Sequence, residues 1–257
     1  KVNAKCKMAW IHTDYSVVQV DTQSELKMWE EYDYIVSISD DVTRSFLKTF
    51  PALKDKIIVI ENILPNALTE KQAKENVSEV FESDYINLLS IGRFTNAKNF
   101  DNVPEICKHI IEKSIKVKWY LIGYGGEEAL IRKKITEAEM QDYVIILGKK
   151  ENPYPYIRMC DIYVQPSRYE GKCVAVREAQ LLGKPVIITN YVTSGSQLED
   201  GVDGIIVPMD NEGCADHIAE VIKNDELREV LKNNMATRDY TNSKEIEKIY
   251  HIIKDNV

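Results

Sequence analysis

The sequence predicts an α/β fold with a mostly parallel sheet and helices on both of its faces. Between residues 85 and 223, apolar runs of strand length alternate with longer amphipathic stretches, the pattern of repeated strand–helix units. The chain has 257 residues, 44% of them hydrophobic, enough to bury a sizeable core in one or two domains. Helix stops separate the runs, most clearly Gly183-Lys184-Pro185 ahead of the apolar residues 186–188.

The first recognisable strand is 8–11. Residues 35–38 read as a short buried strand, and Ser39 is placed to cap a helix that runs to Phe50 and is closed by Pro51. A further strand covers 56–60. Residues 66–84 are polar and acidic apart from Val77, Val80 and Phe81, which predicts a partly helical linker. The regular alternation follows: strand 85–91, helix 99–113, strand 117–122, helix 127–138, strand 144–147, a short helix at 156–159 and strand 162–164. After these come a helix carrying Ala175, Ala179, Leu181 and Leu182, strands 186–189 and 205–207, and a helix over 211–223. The last segment, 242–257, reads as a helix capped by Asn242 or Ser243, with Ile246, Ile249, Tyr250 and Ile253 at helical spacing.

A net charge of −8 argues against a nucleic-acid binder, which needs a basic surface to neutralise phosphates, so any phosphate site must be local. The five cysteines are scattered singly with no C-x-x-C, which indicates neither a zinc ribbon nor a disulfide framework and points to a reducing compartment. No apolar run approaches the roughly 20 residues that span a bilayer, and the opening KVNAKCKMAWIHTDY lacks the apolar core of a signal peptide. The expected location is cytoplasmic.

Two motifs carry chemistry. In YEGKCVAVREAQLLGKPVIITN a loop glutamate, Glu170, precedes a helix, and Glu178 lies about one turn inside it. The unpaired backbone N–H groups near Cys173 and Val174 point at any anion bound there. On spacing alone this is no better than a chance pair of solvated glutamates. Upstream, INLLSIGRFTNAKNF ends a buried strand at Gly92 and then delivers Arg93 and Lys98. A planar fork of donors and a compact charge together suit a diphosphate. In open parallel sheets ligands sit at the carboxyl ends of strands, where Arg93, Gly123, Lys150 and Glu170 all fall. Gly123-Tyr124-Gly125-Gly126 is not a dinucleotide fingerprint, because Glu128 stands where the third glycine belongs. There is no P-loop, since Gly183-Lys184 is followed by Pro185. A glycosidase pair must flank a bond from two sides, which one loop-helix unit does not do.

At these residues the chain resembles the retaining glycosyltransferases of family 4, which have the GT-B fold of two Rossmann-like domains. The resemblance rests on Gly92, Arg93 and Lys98, on Gly123-Tyr124-Gly125, on Leu147-Gly148 and on the segment from Cys160 to Ser167. The glutamate pair and the strand entry from Gly201 to Val207 complete it. It implies a partial first domain over 1–65 whose opening half is missing, a linker over 66–84 and a nucleotide-sugar-binding domain over 85–241. The helix 242–257 is then expected to return to the first domain and pack on residues 8–60.

Carried over residue by residue, the resemblance gives Glu170 the donor-sugar hydroxyls, Glu178 the ribose, and Arg93 and Lys98 the diphosphate. His12 would reach the sugar from the first domain. A competing version makes Glu170 a nucleophile; the family's front-face mechanism instead has the departing phosphate take the acceptor proton. No metal or other cofactor is implied. The base would bind at the turn 149–152 through the Lys150 backbone, with Asn152 as the best-placed side chain, which leans towards a UDP-sugar over a GDP-sugar. The implied partners are the nucleotide-sugar donor and a glycan or lipid-linked acceptor, at the inner face of a membrane reached through the missing segment. Two departures stand out: Lys172-Cys173 where many relatives have Phe-Gly, and Gln197 where a glutamate is expected. An active transferase in surface polysaccharide synthesis and a nucleotide-sugar-binding module without transfer both remain open.

Overall fold

The computed structural model describes residues 4–79 and 81–256, so Val80 of the predicted linker lies outside the described residues. The elements in order are β1 (Met8–Ile11), α1 (Thr22–Glu30), β2 (Tyr34–Ser37), α2 (Asp40–Thr49), β3 (Ile57–Val59), α3 (Asn66–Gln72), β4 (Ile86–Ile91), α4 (Val103–Glu112), β5 (Val117–Ile122) and α5 (Glu128–Glu137). They continue with β6 (Val144–Gly148), α6 (Tyr154–Met159), β7 (Ile162–Gln165), α7 (Val174–Leu181), β8 (Val186–Thr189), α8 (Ser194–Gln197), β9 (Ile205–Val207), α9 (Asn211–Lys223), α10 (Asp225–Ala236) and α11 (Glu245–Asn256).

Two all-parallel sheets result. The first is β1-β2-β3 and the second β6-β5-β4-β7-β8-β9. Counted from its own first strand, the second sheet has the doubly wound order 3-2-1-4-5-6, whose order reverses between β4 and β7. Its strands alternate between two cores. Leu88, Trp119, Val164 and Ile187 pack with α4, α5 and α9 on one face. Leu89, Tyr120, Tyr163, Val186 and Ile188 pack with α6 and α7 on the other. Burial on both faces accounts for the near-continuous apolar strand sequences.

Ser39 caps α2 as expected, its hydroxyl accepting from the Val42 N–H at 3.2 Å. Several boundaries differ from the sequence reading. The predicted helix 99–113 starts only at Val103, because Asn96–Lys98 form a 3-10 turn and Asn99 is left-handed at φ 60°. The segment read as linker is packed: Thr69 of α3 is buried, and Phe81 stacks on Tyr120 with centroids 3.9 Å apart. α1, α8 and α10 were not anticipated. α10 is held by Leu231 and Met235, which are buried with Tyr240 against Leu181 of α7 and Ile205 of β9.

The first sheet is covered on one face by α1 and α2 through Trp29, Val42 and Phe46 against Ile35. Its other face meets the end of the chain, where Val36 and Ile60 are buried with Ile252 and the half-buried Ile249. Ile252, not Ile253, is the inward residue of α11, and Ile253 is exposed. Asn242 does not cap this helix. It adopts a left-handed conformation at φ 52°, and its side-chain amide reaches back to Glu61 and to the Asn62 carbonyl.

Candidate active site

The reversal between β4 and β7 opens a crevice at their carboxyl ends, and loops from both strands meet there. After β4 the 3-10 turn ends on Lys98; after β7 the loop carries Ser167 and Glu170. Lys98 Nζ lies 2.5 Å from Glu170 Oε1, with the two side chains 17% and 11% exposed. Ser167 Oγ donates to the same oxygen at 2.6 Å and itself accepts from Gln165 Nε2 at 2.9 Å. Thr193 Oγ1 holds the Glu170 carbonyl at 2.8 Å. Among the described residues nothing donates to Glu170 Oε2, which leaves an acceptor for a ligand hydroxyl.

Burial works against the Lys98 ammonium, but Cys173 and then Glu170 outweigh it, and its pKa is raised above the ordinary lysine value. The Cys173 thiol, 3.7 Å from Lys98 Nζ, is pushed up to about 11 by burial, against the lowering effect of Lys98. The loops themselves are tied together by Arg168. Its N–H donates to the Ala97 carbonyl at 2.8 Å, and its guanidinium grips Asp101 with two bonds of 2.9 and 2.8 Å.

Arg93 is exposed beside this cluster and lines a pocket of about 220 Å³ together with Gly123, Tyr124 and Lys150. Gly123 is required there. It has φ +154°, and a Cβ would sit 1.9 Å from the Gly92 carbonyl oxygen where the ends of β4 and β5 converge. Lys150 pairs through Nζ with Glu79, which that bond and the Tyr156 hydroxyl hold down at about 2. Both N–H donors of the Asn152 amide are spent, on the Gln72 carbonyl and on Glu75, and its oxygen accepts the Tyr154 N–H, so it has no free N–H to offer a base.

Glu178 projects from α7 and accepts from the Tyr154 hydroxyl at 2.9 Å. Burial raises its pKa, and the Tyr154 bond opposes that rise. At the start of α7 the Cys173 N–H is already taken: Gln197 Oε1 accepts it at 2.6 Å. Of the two expected anion-facing amides, Val174 is left at the first helical position. His12 is exposed at the end of β1, and its backbone packs on the Glu170 loop so closely that a Cβ on Gly171 would lie 2.4 Å from the His12 oxygen.

The structure thus gathers Lys98, Glu170 and Cys173 in one cluster, lines a second pocket with Arg93, Gly123 and Lys150, and sets Glu178 beside Tyr154. Sequence reasoning missed Ser167, Arg168, Tyr154 and Glu61. Ser167 was legible in principle as the polar end of a buried strand; the others carry no local signal. Among the described residues no group of three or more His, Cys, Asp or Glu is arranged to hold a metal ion, and no helix is long and apolar enough to cross a membrane.

A doubly wound parallel sheet with a cation–carboxylate pair at its reversal point, joined to a second parallel sheet, is the GT-B architecture. The family model for glycosyl transferases group 1 matches residues 71–238, and the chain belongs to that family. It is 28% identical over 203 residues to an uncharacterized glycosyltransferase of Methanocaldococcus jannaschii, covering 74% of this chain and 56% of that protein. An amylovoran biosynthesis glycosyltransferase of Erwinia amylovora is 28% identical over 145 residues, 53% of this chain and 35% of that one. The chain thus spans about half or less of the length of these relatives. Among solved structures, Anabaena HepE in complex with UDP-glucose superposes with a TM-score of 0.83 at 16% identity, over 96% of this chain and 72% of that one.

Proposed function

We propose that the chain is the donor-binding part of a retaining glycosyltransferase of family 4, which moves a hexose from a nucleotide-diphosphate sugar to a glycan or lipid-linked hydroxyl during polysaccharide synthesis. The observation that carries the reading is the Lys98–Glu170 pair at the reversal point of the sheet, with one carboxylate oxygen left without a donor among the described residues.

In this reading Glu170 Oε2 takes a sugar hydroxyl while Lys98, Arg93 and the Val174 N–H neutralise the departing diphosphate without a metal. Glu178, oriented by Tyr154, binds the ribose. The base enters the pocket beside Lys150, where backbone groups read it because both Asn152 N–H donors are engaged; this removes the side-chain ground for preferring uridine, and UDP- and GDP-sugars are both donors to test. The acceptor hydroxyl attacks from the face the phosphate leaves, and the phosphate oxygen takes its proton. His12 approaches the sugar from the first sheet. The enzyme would work in the cytoplasm at the inner face of a membrane. The supports are the family membership and the polysaccharide-synthesis relative.

A binding module without transfer is the second reading, favoured by Gln197 occupying the Cys173 N–H. Calorimetry with UDP and GDP, followed by donor-hydrolysis assays with a panel of nucleotide sugars, separates the two. Binding with hydrolysis supports the transferase, binding without it the module, and no binding sinks both. Glu170→Gln is expected to leave nucleotide affinity within about twofold and to lower sugar turnover on the order of a hundredfold, since only a sugar contact is lost.

A further inference from the structure

Three consecutive residues of the site loop are held by different parts of the molecule. Glu170 is fixed by Lys98 and Ser167 of the second unit. Gly171 lies flat on the His12 backbone, with no room for a Cβ. Lys172 turns away from the crevice and buries its ammonium, 6% exposed, against Glu61 at 2.5 Å.

Glu61 stands just past β3, where the chain leaves the first sheet, and its carboxylate is a hub. Besides Lys172 it takes Arg177 of α7 at 3.6 Å and the Asn242 amide at 2.9 Å. Its own N–H donates to Glu245 of α11 at 2.9 Å. The left-handed turn at Asn242 is what aims that amide at Glu61 instead of at the start of α11. The lysine at this position, where the resemblance expects an apolar residue, therefore has a built partner.

We propose that Glu61 is a positioning residue for sugar transfer: by latching Lys172 it sets where the Glu170 loop stands relative to the His12 segment. The inference rests on the function proposed above. A buried ammonium that loses the carboxylate it is paired with must find water or give up its proton, and either change loosens the loop that carries Glu170. Seating a sugar on Glu170 and docking the first sheet are then two ends of one lever.

The test uses the full chain as Glu61→Gln, Glu61→Asp, Lys172→Met and the Gln/Met double variant. Hydrogen exchange of residues 169–175 is compared with UDP affinity by calorimetry and with kcat and KM for donor turnover. Glu61→Gln is expected to speed exchange in that loop by roughly tenfold and to lower kcat by a similar factor, with KM and UDP affinity within about twofold. Glu61→Asp should restore most of the rate, and the double variant should be no worse than the more damaging single change, because both remove one interaction. Lys172→Met removes the buried charge itself, so it remains informative if Glu61→Gln folds poorly. Unchanged loop exchange, additive single effects, or a fall in kcat that only follows lost folded protein would overturn the latch. Failure of the wild-type chain to bind any nucleotide would sink the proposed function and the transfer role with it, while the exchange comparison would still decide whether the latch exists.

Discussion

Two lysine–glutamate pairs lie on either side of Gly171, and they differ in what is left over once each has formed. In the crevice, Lys98 and Ser167 both converge on Oε1 of Glu170, and the other oxygen has no donor among the described residues. At the junction, Glu61 is used on both oxygens, by Lys172 on one and by Arg177 and Asn242 on the other. In the second pair both carboxylate oxygens of Glu61 are engaged, which helps to offset the desolvation of the buried Lys172. The first is half open, so a ligand hydroxyl can be taken up without breaking the pair. Two pairs of the same residue types thus differ in unused valence: one keeps a carboxylate oxygen without a donor among the described residues, and the other does not.

Reversing the crevice cation should have the largest effect. Lys98→Glu places two carboxylates where one pair stood, and nucleotide diphosphate affinity is expected to fall at least about a hundredfold, read by calorimetry with UDP. Retention of wild-type affinity would remove the crevice from the binding site and with it the contrast between the pairs. Next is the contact between them. Gly171→Ala forces a methyl into the His12 backbone and should cost about 1–3 kcal/mol in denaturant unfolding. A neutral result would mean that the two units part easily at this point.

Glu178 sharpens the comparison through pH. Its folded pKa is raised by burial, so its contribution to stability is fully present below the ordinary glutamate pKa and is lost as pH rises through the higher folded value. Glu178→Gln should therefore raise the melting temperature at pH 7 and lose that advantage as the pH falls below the ordinary glutamate range, while weakening nucleotide binding throughout. Equal melting curves across that window would show that the carboxylate is not desolvated. The smallest effect belongs to the rim pair of Glu79 and Lys150, whose side chains are 34% and 21% exposed. Glu79→Gln is expected to change stability by less than about 1 kcal/mol and to lose even that in high salt.

How much was legible can be seen at particular residues. Strand β4 is an apolar run broken only by Asn87 and Ser90 and followed directly by Gly92-Arg93, so its existence, its burial on both faces and the position of Arg93 could all be read directly. Helix α4 was placed four residues early, because the left-handed Asn99 and the 3-10 turn before it depend on the Arg168 loop that closes over them. The pairing of Lys98 with Glu170 joins residues 72 positions apart, and no local pattern announces it.

What the sequence by itself determined was periodicity and punctuation: alternating apolar runs, a serine cap before α2, glycines where strand ends converge, and cations and carboxylates delivered at the ends of strands. These follow from near-neighbour sterics, hydrogen bonding and the need of every strand to bury its faces. What only the tertiary structure decided was which polar atoms are already used. Gln197 closes the Cys173 N–H from 24 residues away, Asn152 turns to Glu75 from 77 away, and Glu61 claims Lys172 across 111. Each such choice is made by desolvation in the packed chain, where a buried donor takes whichever acceptor the fold brings within about 3 Å, and sequence distance has no part in it.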